Sequence, residues 1–197
     1  EYTIAGVAPC IDDTSVATIT INAQPDAGVD GSTSVCDSST TPIDLFSLIT
    51  GEQSGGVWTQ LSGTGGVFNA AAGTYTPASG ATTSTFEYTI AGVAPCIDDT
   101  SIVTVTITAQ PDAGTDGSTT ICDNDTNVVD LFSLITGEQA GGVWTQTSGT
   151  GGVFNAAAGT YTPAPGATTS TFEYTIAGVA PCIDDTSVAT ITINAQP

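Results

Sequence analysis

The fifteen residues EYTIAGVAPCIDDTS stand at Glu1, again at Glu87 and again at Glu173, so the chain repeats itself every 86 residues. Cut at its Gln-Pro junctions, the chain divides into residues 1–24, the C-terminal part of a preceding repeat with its last two strands, and two full repeats, 25–110 and 111–197. Such a period is too long for a solenoid unit of roughly 20 to 45 residues and fits a small autonomous domain. The two full units differ at 15 of 86 positions, and residues 1–24 are identical to residues 173–196. The pattern is that of one module copied many times. Beginning within a unit and lacking Met, the chain reads as a piece of a longer array.

Within a unit the periodicity is that of strands. Val103, Val105 and Ile107 alternate with Thr104, Thr106 and Thr108, and Phe86, Tyr88 and Ile90 alternate with Glu87 and Thr89. Residues 91–99, with Gly92 and Pro95, join these two strands as a hairpin-like connection. Shorter strands are expected at 33–36, 57–60, 66–68 and 74–76. Residues 44–51 are ambiguous: Leu45, Phe46, Leu48 and Ile49 have helical spacing between an Asp44 N-cap and Gly51, which predicts a short helix or a strand that ends in a turn. Six or seven short strands separated by Gly, Pro, Ser and Thr predict an all-β fold of tandem immunoglobulin-like β-sandwich modules in an extended array. Trp58 and Trp144, one per unit, are expected to pack inward; a sugar-stacking platform is the alternative.

Charge removes whole classes of function. The chain has 20 Asp and Glu and no Lys, Arg or His, a formal net charge of −20. Nothing can make counterion-releasing contacts to phosphate, grip a carboxylate with a guanidinium fork or act as an imidazole base. Nucleic-acid binding and docking on anionic membranes are excluded on this ground, and no apolar run is long enough to span a bilayer.

The five cysteines, Cys10, Cys36, Cys96, Cys122 and Cys182, are spaced 26, 60, 26 and 60 residues apart. Two per small unit, without a metal-ligand His or a C-x-x-C pair, indicate disulfides and an extracellular chain. Pairing inside each unit is expected, Cys36 with Cys96 and Cys122 with Cys182, with Cys10 unpaired. The alternative, Cys10 with Cys36 and Cys96 with Cys122, crosses a unit boundary. A bridge closing about 60 residues would stabilise a unit by about 4 kcal/mol.

The acids gather at turns: Asp12 and Asp13 with their repeats Asp98, Asp99, Asp184 and Asp185, and, beside the unit boundaries, Asp26, Asp30, Asp112 and Asp116. Clustered carboxylates suit a hard cation, so Asp26, Asp30, Asp112 and Asp116 are candidate calcium ligands, although solvated turn residues look the same in sequence. No EF-hand spacing is present. A glycosidase would need two carboxyls facing each other across a cleft, which neighbours in one loop do not supply, so no catalysis is expected. The Thr104, Thr106 and Thr108 row could meet ice or a flat glycan, and is also what a solvated strand carries. Asn124-Asp125-Thr126 is a lone N-x-T match.

The order PDAG, Cys122, VDLFSLITG, GGVWTQ, GTYTP, FEYTI, Cys182 and a Thr-rich last strand resembles the tandem repeats of giant surface adhesins of gliding Bacteroidetes, the SprB type. The likeness covers essentially the whole chain. It implies export by the type IX secretion system, association with the outer-membrane gliding machinery, a place on the outer cell surface, and adhesion to an extracellular surface or polysaccharide. The expected function is a structural extender in which neighbouring repeats hold an adhesive tip away from the cell. The alternatives are repeats that are themselves weak multivalent glycan- or surface-binding modules, and a polysaccharide-binding accessory module.

Overall fold

The computed structural model describes residues 1–195; Gln196 and Pro197, the end of the 111–197 unit, lie outside the described residues. Residues 1–24 contribute a short antiparallel pair, β1 (Tyr2–Ile4) and β2 (Asp13–Ser15). The first full unit forms β3 (Gly31–Cys36), β4 (Ile43–Asp44), β5 (Val57–Ser62), β6 (Val67–Asn69), β7 (Thr74–Thr76), β8 (Ser84–Ile90) and β9 (Asp99–Thr108). The second repeats them as β10 (Gly117–Cys122), β11 (Val129–Asp130), β12 (Val143–Ser148), β13 (Val153–Asn155), β14 (Thr160–Thr162), β15 (Ser170–Ile176) and β16 (Asp185–Asn194).

In each unit a four-stranded sheet, β3-β9-β8-β5 or β10-β16-β15-β12, faces a three-stranded sheet, β4-β7-β6 or β11-β14-β13. Every pairing is antiparallel except β3 with β9 and β10 with β16, which run parallel. The alternation in β8 does what its sequence demands: Phe86 and Tyr88 turn inward and are buried, while Glu87 and Thr89 remain partly exposed. Phe86 meets Phe68 of β6 and Tyr75 of β7 at ring-centroid distances of 4.9 and 5.0 Å, the contacts that join the two sheets into a sandwich.

Trp58 is buried beside Phe46 and Tyr88, so the inward reading holds, and Trp144 is buried in the same way. Among the described residues the two indole Nε1 atoms are the buried side-chain nitrogens or oxygens without a hydrogen-bond partner. Residues 44–51 form no helix. Asp44 Oδ1 accepts from the Phe46 N–H at 3.0 Å and Leu48 N–H bonds to the Leu45 carbonyl, so the helical spacing is spent on one turn that drops Leu45 and Ile49 into the core.

Some core substitutions between the units offset one another in volume. Val103 becomes Ala189, while Val105, two residues along the same face of β9, becomes Ile191, and Val35, opposite Ile107 on β3, becomes Ile121, so carbon lost at one buried position is regained elsewhere on the same sheet.

The structure overturns the expected disulfides. Cys36 is bonded to Cys182, 146 residues away, and neither Cys36–Cys96 nor Cys122–Cys182 forms. The parallel pairing is the reason. Cys36 lies opposite Thr108, the last residue of β9, whereas Cys96 sits in the loop before that strand begins. The ten residues of β9 therefore separate the two sulfurs by about 33 Å at roughly 3.3 Å per residue. Cys10 is free, as are Cys96 and Cys122.

Candidate functional site at the junction between units

The distinctive chemistry of the chain sits where one unit meets the next. Two strands of the first unit, β3 and β9, end side by side at Cys36 and Thr108, and the chain then turns through Ala109 and Gln110 into the second unit. Asp37 fixes this end. Its side chain is buried, with Oδ1 accepting from the Gln110 N–H at 2.8 Å and Oδ2 from the Gly80 N–H at 3.0 Å, while its own N–H donates to the Thr108 carbonyl.

The second unit presents the loop between β15 and β16. Asp184 Oδ1 closes that loop by accepting from the Gly178 N–H at 2.8 Å, and a Cβ at Gly178 would collide with the Ile183 carbonyl. So closed, the loop holds Cys182 with its Cα 5.0 Å from that of Cys36 and its sulfur 3.3 Å from the Thr108 carbonyl oxygen. Gln110 Nε2 donates to the Ile183 carbonyl at 3.0 Å, and Ser38 Oγ donates to the Cys36 sulfur at 3.2 Å.

The same junction occurs one period earlier. Gln24 Nε2 donates to the Ile97 carbonyl at 3.2 Å, Asn22 Nδ2 donates to the Ala94 carbonyl at 2.8 Å, and the Cys96 thiol lies 3.4 Å from the Asn22 carbonyl oxygen. Gly92 N–H and Asp98 close the loop as Gly178 and Asp184 do, and Gly6 and Asp12 close its first copy. The glutamine-to-carbonyl and sulfur-to-carbonyl contacts thus recur at two successive boundaries at the same register, while the Asn22 amide contact has no counterpart at Thr108.

The acids are spent on backbone amides. Asp26 Oδ1 accepts from Gly28 N–H and Asp112 Oδ1 from Gly114 N–H, each at 2.9 Å within its own turn. Asp30 Oδ1 accepts from Ile102 N–H and Asp116 Oδ1 from Val188 N–H, each at 2.8 Å. Asp99 and Asp185 clamp the start of each unit through the N–H groups of Ala27 and Ala113 at 2.7 Å. In a chain without cations these N–H donors take the role that Lys and Arg have elsewhere. Among the described residues no three His, Cys, Asp or Glu side chains gather as a metal site. Each of the four calcium candidates has one carboxylate oxygen accepting a backbone N–H.

Sequence reading found the residues of the boundary but not their arrangement. It singled out both cysteines and the paired acids, and missed Asp37, Asn22, Gln24 and Gln110. The recurrence of Gln-Pro at every boundary was the available signal for the glutamines.

Among the described residues no helix is long and apolar enough to cross a membrane. No protein-family model and no curated protein matches the chain. Among solved structures, the chain is similar to human protocadherin-24 EC1-2, with 13% identity over 85% of this chain and 95% of that one, at a TM-score of 0.38. Drosophila N-cadherin EC1-4 is 9% identical over 88% of this chain and 51% of that one, at 0.31. An endo-fucoidan hydrolase of glycoside hydrolase family 107 is 11% identical over 89% of this chain and 28% of that one, at 0.24.

Proposed function

We propose that the chain is a run of extender repeats from a cell-surface adhesin, a stalk that carries an adhesive tip away from the cell. The observation that carries this reading is the repeated boundary: the same glutamine-to-carbonyl and sulfur-to-carbonyl contacts occur at 22–24 with 96–97 and at 108–110 with 182–183. A contact that recurs at a fixed register propagates one geometry along as many copies as the array has, which is what a spacer needs. Burial of Trp58 and Trp144 withdraws the aromatic platform a glycan-binding module would use. The disulfide suits an oxidising, extracellular setting. The resemblance to gliding-adhesin repeats supports export by type IX secretion and attachment at the outer membrane.

Small-angle scattering on chains of two, four and six units tests the reading. A maximum dimension rising linearly, by about 30 to 45 Å per unit for strands of about ten residues with their turns, is expected. Growth much slower than copy number, or glycan-array binding by two joined units, would favour repeats that are themselves adhesive.

A further inference from the structure

We propose, building on the extender reading, that the Cys36–Cys182 disulfide is the tension-carrying link of the stalk: a pull on the chain ends runs through this bridge and bypasses every strand from β4 to β15, leaving only β3 and β16 of the two sandwiches in its path. The bridge closes 146 residues, so everything from β4 to β15 lies inside a covalent loop that a pull on the chain ends cannot open. Outside the loop remain residues 1–35 and 183–197. They hold β1, β2, nearly all of β3 and the final strand β16, segments in which much of the backbone is already extended.

The bridge also sits where a pulling force would act. It ties the end of β3, the first strand of one unit, to the loop that the next unit lays against that end. The alternative location expected from sequence, inside one unit, would leave the boundary held by Gln110 and its few hydrogen bonds.

The repeat extends the consequence beyond one bridge. Cys122 stands 86 residues after Cys36, and Cys96 stands 86 before Cys182 with its thiol on the Asn22 carbonyl as the Cys182 sulfur is on that of Thr108. Wherever a further copy adjoins, its cysteine meets Cys122 or Cys96 as Cys182 meets Cys36. A disulfide-bearing oxidant accepts the two electrons and two protons of each thiol pair. Successive bridges then overlap, so every peptide bond between the first and last bridge is spanned by at least one of them. From Cys96 to Cys122 the backbone crosses two units in 26 residues, an extended reach of about 85 to 95 Å. Two folded sandwiches with strands of about ten residues occupy nearly the same length. The linked array is therefore close to its covalent limit while folded.

Single-molecule force extension of the 197-residue chain, held at its two ends, reads this directly. The oxidised chain should stop at about 50 residues of contour, roughly 180 Å, and a phosphine reductant should raise that about fourfold, to roughly 700 Å. The double variant C36S/C182S should reach the longer limit without reductant. The variant C96S/C122S should keep the short one. A limit of roughly 270 Å, the length left by two bridges of about 60 residues each, would overturn the proposal in favour of closure within each unit. So would equal limits with and without reductant. Scattering from the oxidised chain separates this outcome from the extender reading: a folded-back particle with a short force limit would refute the stalk and retain the link.

Discussion

The buried carboxylate of Asp37 and the backbone N–H of Gln110, 2.8 Å apart, are the point at which the first unit is tied to the chain leaving it. Asp37 also holds the Gly80 N–H, so one side chain satisfies two donors at the end of the sandwich. Asp37→Ala would strand both, and a hydrogen bond to a charged group is worth about 1.5 to 3 kcal/mol. A loss of about 2 to 4 kcal/mol in the first unit is expected by denaturant titration. Asp37→Asn, which retains one acceptor oxygen, should lose less than half as much. Equal losses for the two variants would contradict this role.

Gly73 tests the aromatic cluster. Its φ is +63°, and a Cβ there would lie 2.6 Å from Phe46 and 2.8 Å from Trp58 Nε1. Gly73→Ala should cost about 2 to 4 kcal/mol, from left-handed backbone strain together with overpacking. Gly51, at φ +85° with nothing within 4 Å of its Cβ, should cost about 1 to 2 kcal/mol as Ala, from the backbone alone. Thermal melts showing the same shift for both would remove the packing argument.

The paired core changes predict a rescue. Val103→Ala, made alone, should destabilise the first unit by about 1 to 3 kcal/mol through the cavity it leaves. Adding Val105→Ile, the same-face neighbour on β9 that accompanies Ala189 in the second unit, should recover part of it, whereas Val35→Ile, opposite Ile107, should act independently. Strictly additive effects of Val103→Ala and Val105→Ile in the double variant would show that the two positions do not share one space.

Because Asp26, Asp30, Asp112 and Asp116 are committed to backbone amides, millimolar calcium should leave the melting temperature of the chain unchanged. A thermal shift with measurable heat of binding would instead assign them as ligands. Asp30→Ala, by contrast, should destabilise with or without calcium, since the Ile102 N–H loses its acceptor.

Local pattern made much of each sandwich legible. Alternation at Phe86, Tyr88 and Ile90 and at Val103, Val105 and Ile107 reports a half-buried strand wherever it lies, and both hairpin strands are where that pattern put them. Residues 44–51 are ambiguous in sequence because one turn and the start of a helix share the same spacing, and the packing of Phe46 against Trp58 and Tyr88, with Leu45 and Ile49 in the core, accompanies the turn. The partner of β3 left no local trace. A parallel pairing joins residues 72 apart, Gly31 with Val103, with no turn between them to mark it, so the end of the unit at which Cys36 emerges could not be read from spacing. That single register decides the disulfide. Asp37 was hidden for the same reason: the end of the sheet that buries it exists only once β3 and β9 are aligned.

The most direct test of a stapled boundary is peptide mapping without reduction. Trypsin has no Lys or Arg to cut, so an Asp-directed protease is required. With cleavage before each Asp, Cys36 lies in the peptide 30–36, Cys96 in 44–97 and Cys182 in 130–183. Peptide 30–36 should be recovered joined to 130–183, and the pair should separate on reduction. Recovery of 30–36 joined to 44–97 would contradict this, because the bridge would then close one unit on itself and leave the boundary without a covalent tie.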